Sequence, residues 1–486
     1  MNSIDWLVLV ITLAGIVAYG AYKSRHNRHI NDYIKADNTL KWWAVGISIM
    51  ATQASAITFL STPGQAIEDG MRFIQFYIGL PIAMVIISVT IVPVYFKLKV
   101  YTAYEYLETR FDAKTRALAA ILFLILRGAS AGITLYAPAI VLSTVLHWNT
   151  YLTTAAIALL VILYVVTGGT RAVAITQQQQ MAVILVGMLM AGAFAFARLP
   201  ADVSFADSLN LAGAMGKFNL VNTQFDIDDR YNIWSGLIAG TFLFLAYFGT
   251  DQSQVSRYLG AQSLAASRMG LIFNGLLKIP MQACILFIGV MVFIFYQFNA
   301  PPVFHNTALS SAVSNTHYAA QYQSIVRQHD NLFVEKRHVI YQLKEAMASG
   351  DEVRAEALRQ QVASLTQKQQ AMHNAAKHTI TQALPGAKTN DRDYIFLNFV
   401  LSYLPHGIIG LLLAVVFCAA MSSLASELNA LSSTTLVDIY QRHWYKEGTP
   451  VHYVLASKYF TALWAVVAMA FAVLASFAES LIEYVN

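Results

Sequence analysis

Apolar runs of about 20 residues recur along this chain with short charged intervals between them, which is the pattern of helices that cross a bilayer. The first run covers Ile4 to Tyr22, the third about Arg72 to Phe96 and the fourth about Arg116 to His147. The fifth and sixth, Leu152 to Thr167 and Ala172 to Ala197, are joined by Gly168-Gly169-Thr170-Arg171, with Gln177 to Gln180 near the start of the sixth. The eighth runs from about Met269 to Phe298 and the tenth from about Val451 to Phe477.

Two runs are broken by polar residues. The second, from Trp42, has two apolar halves around Thr52, Gln53 and Ser55 and is expected to end at Pro63-Gly64. The seventh, Tyr231 to about Tyr258, is polar from Thr250 onward. A discontinuous helix exposes carbonyl and amide groups at mid-membrane, where transporters place ion and substrate sites. A continuous helix with buried polar packing is the competing reading of the second run.

The ninth run, Gly407 to Tyr440, carries Ala419, Ser422, Ser423, Ser426 and Asn429 three or four residues apart, hence on one face. Small hydroxylated residues allow close helix packing. Two serine oxygens and the Ala419 carbonyl are also hard ligands for a hard cation, once a broken partner helix supplies further carbonyls.

Between Asn299 and Asp393 the composition turns to Gln, Lys, Glu, Ala and His, and the spacing predicts helices over Tyr318 to Met347 and Glu352 to Leu384, broken at Ser349-Gly350-Asp351. This reads as an extracellular helical hairpin with a solvated charged face. Partner binding is the lesser alternative.

The composition agrees with a membrane protein: 57% of the 486 residues are hydrophobic and only 12% charged, about half the charge of a soluble chain. The net charge of +5 needs no nucleic-acid partner. Asp5 at the start of the first run and Lys23, Arg25 and Arg28 after it place the amino terminus outside and the loop to Lys41 in the cytoplasm. The acidic loop Leu199 to Arg230, with Asp202, Asp207, Asp226, Asp228 and Asp229, agrees with that orientation. Cys284 and Cys418 lie in apolar runs and read as buried hydrophobes.

Two cations lie deep in the apolar runs. Arg127 is roughly 18 Å along its helix from Thr115, and Lys278 about 15 Å from the inner edge. Neither has an evident acidic partner at its depth, since Asp251 and Glu427 read as nearer the inner end. The pair therefore suggests an anionic solute, most simply a carboxylate. A structural role for Lys278 is the alternative.

Read in order, WWAVG at Trp42, YTAYEYLETRF at Tyr101, GGTRAV at Gly168, TDQSQVSRYLGA at Thr250, LLK ending at Lys278 and MSSLASELNALSSTTLVDIY at Met421 resemble the sodium/solute symporters, which include sodium-coupled transporters of glucose, proline, pantothenate and sialic acid. The resemblance implies an all-α multi-pass fold of two inverted five-helix repeats, like the leucine transporter. It divides the chain into a first helix and cytoplasmic loop (1–41), core helices one to five (42–198), an extracellular loop (199–230), core helices six and seven (231–298), the hairpin insertion (299–393) and core helices eight and nine (394–486). The tenth core helix is expected to be missing at the carboxyl end. By position, sodium would be held by the carbonyls of Ala51, Ala54 and Ala419 and the hydroxyls of Ser422 and Ser423. Substrate would meet Gln53, Ser55, Thr58, Tyr77, Arg127, Phe244 and Lys278, with Tyr247 as an inner aromatic gate.

Gln177 and Ala425 stand where members with a second sodium site resemble each other in an Asp and further hydroxyls, which implies one sodium per cycle. Thr58 and Tyr77 replace the Gln and Glu of sugar-transporting members. Arg127 is offset by about half a turn from the Arg of sialic acid transporters. The expectation is a non-enzymatic symporter with co-transported Na+ and no other cofactor, embedded in the lipid bilayer of a bacterial inner membrane, importing a small solute such as sialic acid or a related organic anion. The alternatives are a sodium/sugar symporter or a solute sensor retaining the transporter fold; oligomeric state is left open.

Overall fold

The computed structural model describes residues 1–24, 30–146, 148–226, 229, 231–387 and 389–485. Arg25, Arg28, the span end at His147, the loop residues Asp228 and Arg230 and the side chains of the closing AESLIEYVN lie outside the described residues. The described chain is helical throughout, and seven helical runs are long and apolar enough to cross a membrane.

The first helix, α1 (Ser3–Ser24), leads to a short α2 (Ile30–Lys35). The second apolar run is split into α3 (Trp42–Gln53) and α4 (Ala56–Asp69), with Ala54 and Ser55 in extended backbone between them. Contrary to the sequence expectation, the helix does not stop at Pro63-Gly64. It continues to Asp69 because both residues are covered by neighbours: a Cβ on Gly289 would lie 2.4 Å from the Pro63 carbonyl, and one on Gly64 the same distance from that of Arg392.

After α5 (Gly79–Leu98) and α6 (Glu105–Arg110), α7 (Ala113–Leu146) carries Arg127. The fifth and sixth runs are not joined by an open loop. They form α8 (Thr150–Ala197), whose 48 residues would measure roughly 72 Å if straight, more than twice the hydrocarbon thickness. Gly169, at φ 53° and ψ −143°, turns the chain within one residue. Tyr33 of α2 fills that corner, its hydroxyl donating to the Val165 and Val166 carbonyls at 3.1 and 3.2 Å.

The acidic loop contains α9 (Phe205–Ala214), opened by a Ser204–Asp207 capping box that the sequence reading passed over. The seventh run is α10 (Gly240–Thr250) and α11 (Gln252–Leu259), separated by Asp251 in extended backbone, and α12 (Leu264–Phe298) follows.

A short α13 (Thr307–Val313) leads into the hairpin, α14 (Ala319–Ser349) and α15 (Glu352–Ala383), which reverses at Gly350 with φ 73°. One face of the hairpin is not solvated. Ile340, Leu343, Leu358 and Val362 form a buried cluster with Leu286, Val290 and Ile294 of α12.

The last elements are α16 (Arg392–Tyr403), α17 (Ile408–Thr434) and α18 (Pro450–Val485). The helix α17 is the axis of the molecule. Every residue from Leu412 to Thr434 is buried, and α1, α7, α8 and α18 pack around it. Both halves of the broken second run also touch it. Its polar stripe thus meets protein, as hydroxyls in a bilayer must.

Candidate functional site

The break after Gln53 frees carbonyls that a continuous helix would use. Ser55 N–H turns back to the Gln53 carbonyl, leaving the Ala51 carbonyl without its usual acceptor role in the helix ladder. Ser422 fills that place, donating its hydroxyl to the Ala51 carbonyl at 2.9 Å, and Ser423 donates to the Thr52 carbonyl at 3.2 Å. Ala51, Ala54, Ala419, Ser422 and Ser423 are all buried. A helix end with freed carbonyls therefore faces two serine hydroxyls in a closed oxygen-rich contact.

The sequence reading missed the polar support behind this contact. The Gln177 amide donates to Thr52 Oγ1 at 3.0 Å and Ser426 Oγ at 2.8 Å, and reaches the Ser422 carbonyl at 3.3 Å. Its oxygen accepts from Ser48 at 2.5 Å. Thr52 and Ser426 lie 2.8 Å apart. The clue available in the sequence was period: Ser48 and Thr52, like Ser422 and Ser426, are one turn apart, so their oxygens stack on one face. A neutral amide occupies the space beside the serines.

The second break gathers the charges. Arg127 pairs with Asp251, at the interruption between α10 and α11, and its Nη1 lies 3.0 Å from Glu427 Oε1 on α17. Thr134 adds a 3.3 Å bond to the same carboxylate oxygen. The expectation that Arg127 lacks an acidic partner is thus corrected. Distances counted along single helices do not show that three helices converge here, bringing both carboxylates to the depth of the guanidinium. Glu427 is one turn beyond Ser423, so this ion triad lies beside the serine contact rather than within it. Tyr247 belongs to the same cluster: Arg127 sits 5.8 Å from its ring centroid, and its hydroxyl accepts from Gln254 at 2.8 Å.

Of the other singled-out residues, Tyr77 and Phe244 are buried and stack at 5.9 Å, forming an aromatic wall with Phe76. Ser55 lines a cavity of about 280 Å³ with Ser130 and Thr134 of α7. The Thr58 N–H caps back to the Ser55 carbonyl at 3.0 Å, and buried Gln53 Oε1 has no hydrogen-bond partner among the described residues.

Lys278 is fully buried, and its ammonium also has no partner among the described residues. The two helices α3 and α12 touch at Gly46 and Gly270, and α4 and α12 at Pro63 and Gly289. At 1.5 Å per residue, Lys278 lies about 12 Å along α12 from Gly270, level with the Gln53–Ser55 break. An unpaired buried ammonium beside a broken helix is a place for a negative charge.

Two interrupted helices flanking a buried, serine-bearing helix are the arrangement of the leucine-transporter-like fold. The chain belongs to the sodium:solute symporter family, whose pattern matches residues 33–322 and 367–486. It is 27% identical over 293 residues to the human sodium/iodide cotransporter, covering 60% of this chain and 44% of that protein. It is likewise 27% identical over 285 residues to the mouse sodium-coupled monocarboxylate transporter 2, covering 59% and 46%. The chain thus spans under half the length of these curated relatives. Among solved structures, a Na+-coupled sialic acid symporter in a substrate-bound outward-open state superposes with a TM-score of 0.74 over 99% of this chain and 84% of the other, at 22% identity.

Proposed function

We propose that the chain is a sodium-coupled symporter that imports a small organic anion, a carboxylate such as sialic acid or a related compound, by alternating access. The observation that carries the reading is the contact of the Ser422 and Ser423 hydroxyls with the carbonyls freed at the end of α3. Turning those two O–H groups aside would leave serine and carbonyl oxygens facing one another, a hard-donor set for one sodium ion, with Ala54 and Ala419 completing it. Sodium bound there ties α3 to α17 and fixes the shape of the break beside which substrate sits.

Lys278 supplies the charge that favours an anion, and Tyr77, Phe244, Gln53, Ser55 and Thr58 the walls. The names of the similar proteins, which carry iodide, monocarboxylates and sialic acid, agree with an anion. Arg127 is assigned differently from the other cation: with both Asp251 and Glu427 on it, its charge is spent on closing the inner side below Tyr247. The neutral amide of Gln177 in place of a carboxylate supports one sodium per cycle. The reading includes an amino terminus outside a bacterial inner membrane.

The experiment is solute counterflow in proteoliposomes, in sodium and in equal potassium, with neutral sugars and carboxylates as competitors. Sodium-dependent exchange blocked by carboxylates supports the reading. Exchange indifferent to sodium, or blocked by sugars better than by every carboxylate, overturns it.

A further inference from the structure

The hairpin builds a second chamber. Beneath it lies a cavity of about 630 Å³ lined by Lys336, His329 and Gln369 of the hairpin, by Lys217 in the loop after α9 and by Phe293 and Gln297 of α12. Its charges are unbalanced. Arg392 is neutralised by Glu68, and Asp391 by His373 at 3.3 Å and Lys377 at 3.8 Å. Lys217 and Lys336 have no carboxylate within ion-pair distance among the described residues. Lys217 bonds the Ile67 and Glu68 carbonyls, each at 2.7 Å, and Lys336 bonds the neutral Gln369 at 3.0 Å.

Burial pulls both ammonium groups down to about 8, Lys217 against Asp69 and Glu68, which raise it, and Lys336 with repulsion from Lys217 added. Gln297 Oε1, Gln369 Nε2 and His305 Nδ1, all at this cavity, are buried without a hydrogen-bond partner among the described residues. Buried amides without partners are costly, so this chamber is incomplete as it stands. A metal ion does not complete it: no group of three or more His, Cys, Asp or Glu among the described residues could hold one.

We propose that this chamber binds a small hydroxylated carboxylate, its anionic end between Lys217 and Lys336 and its hydroxyls on Gln297, Gln369 and His305. The family pattern is interrupted at residues 323–366, which include His329, Lys336 and Thr366 of the lining. The site does not depend on the transport reading, since its lining shares no residue with the serine contact at α3 and α17.

The test is thermal unfolding of the full purified chain in potassium buffer without sodium, with gluconate as probe and sorbitol and chloride as controls. Gluconate is expected to raise the midpoint by about 1–2 °C near ten times its dissociation constant, and the controls are not. Lys336→Gln is expected to raise the midpoint without gluconate, because an uncompensated charge is removed, and to weaken gluconate at least tenfold. Lys336→Arg should keep the response, and Lys217→Gln repeats the test should the first variant fail to fold. No gluconate response, a response matched by sorbitol or chloride, or an equal response in Lys336→Gln overturns the proposal. Binding without sodium-driven counterflow would leave this site standing and remove the transport reading; the reverse result would do the opposite.

Discussion

Arg127 and Glu427, 300 positions apart in the chain, meet at 3.0 Å where α7 crosses α17. The guanidinium also holds Asp251, so one side chain fastens three helices at the second break. Arg127→Leu leaves two carboxylates uncompensated and is expected to cost about 3 kcal/mol. A double-mutant cycle with Glu427→Gln, read by chemical denaturation in detergent, should give a coupling of about 1–3 kcal/mol. A coupling near zero would mean that the pair is not a fastening.

Ser422→Ala removes the donor to the Ala51 carbonyl and is expected to cost about 1 kcal/mol without ligand. Its larger effect should be on sodium. At ten times its dissociation constant sodium should stabilise the parent by about 1.4 kcal/mol over potassium, and Ser422→Ala and Ser423→Ala should each lose that difference. Thermal unfolding in the two salts measures it.

Lys278→Met exchanges an unpaired buried ammonium for an apolar chain of similar length. Because no ion pair is broken, the variant should unfold at a higher temperature than the parent. It should also lose carboxylate counterflow, whereas a lysine with only a packing role would leave counterflow intact.

The base of the hairpin should respond to acid. Burial lowers His305 to about 4, against neighbours Asp391, which raises it, and His373 and His329, which lower it. A histidine held below its unfolded value must stay neutral to fold, so its penalty is absent above about 6.5 and grows as pH falls toward 4. The His373–Asp391 pair has the opposite sign for the histidine, because Asp391 raises His373. The variant His305→Gln should therefore lose less stability than the parent between pH 6.5 and 4, measured by proteolysis within the 349–351 turn. Equal acid sensitivity would assign the effect to another group.

Gly169→Ala should be among the most destabilising single changes in α8. Its φ of 53° disfavours a side chain, and a Cβ there would lie 2.4 Å from the Tyr33 carbonyl. A cost of at least about 2 kcal/mol is expected in the same denaturation assay.

What could be read from the chain followed the range of the signal. Hairpin ends and helix breaks are local: Ser349-Gly350-Asp351 reverses the chain as read, and both interruptions fall within a residue or two of Ser55 and Thr250. The serine face of α17 was legible because period 3.6 needs no partner. Convergence was not. The partners of Arg127 lie 124 and 300 residues away, and no count along one helix reveals them. Pro63 misled for a related reason, since its cost depends on what covers it. Most of the hairpin's charges are solvated as expected, and Lys336 is buried because α14 and α15 fold back over α12, which no local pattern shows.

The contact between α4 and α16 joins the second run to the base of the hairpin chamber. The Gly64 Cα lies against the Arg392 backbone, while the Arg392 side chain reaches across to Glu68 one turn later. At its other end α4 starts at the break after Ala54, so α4 runs unbroken from the serine contact to α16. Because Arg392 also lines the chamber under the hairpin, a displacement of α4 would be expected to reach that chamber, which couples the serine contact to the hairpin through one continuous packing path.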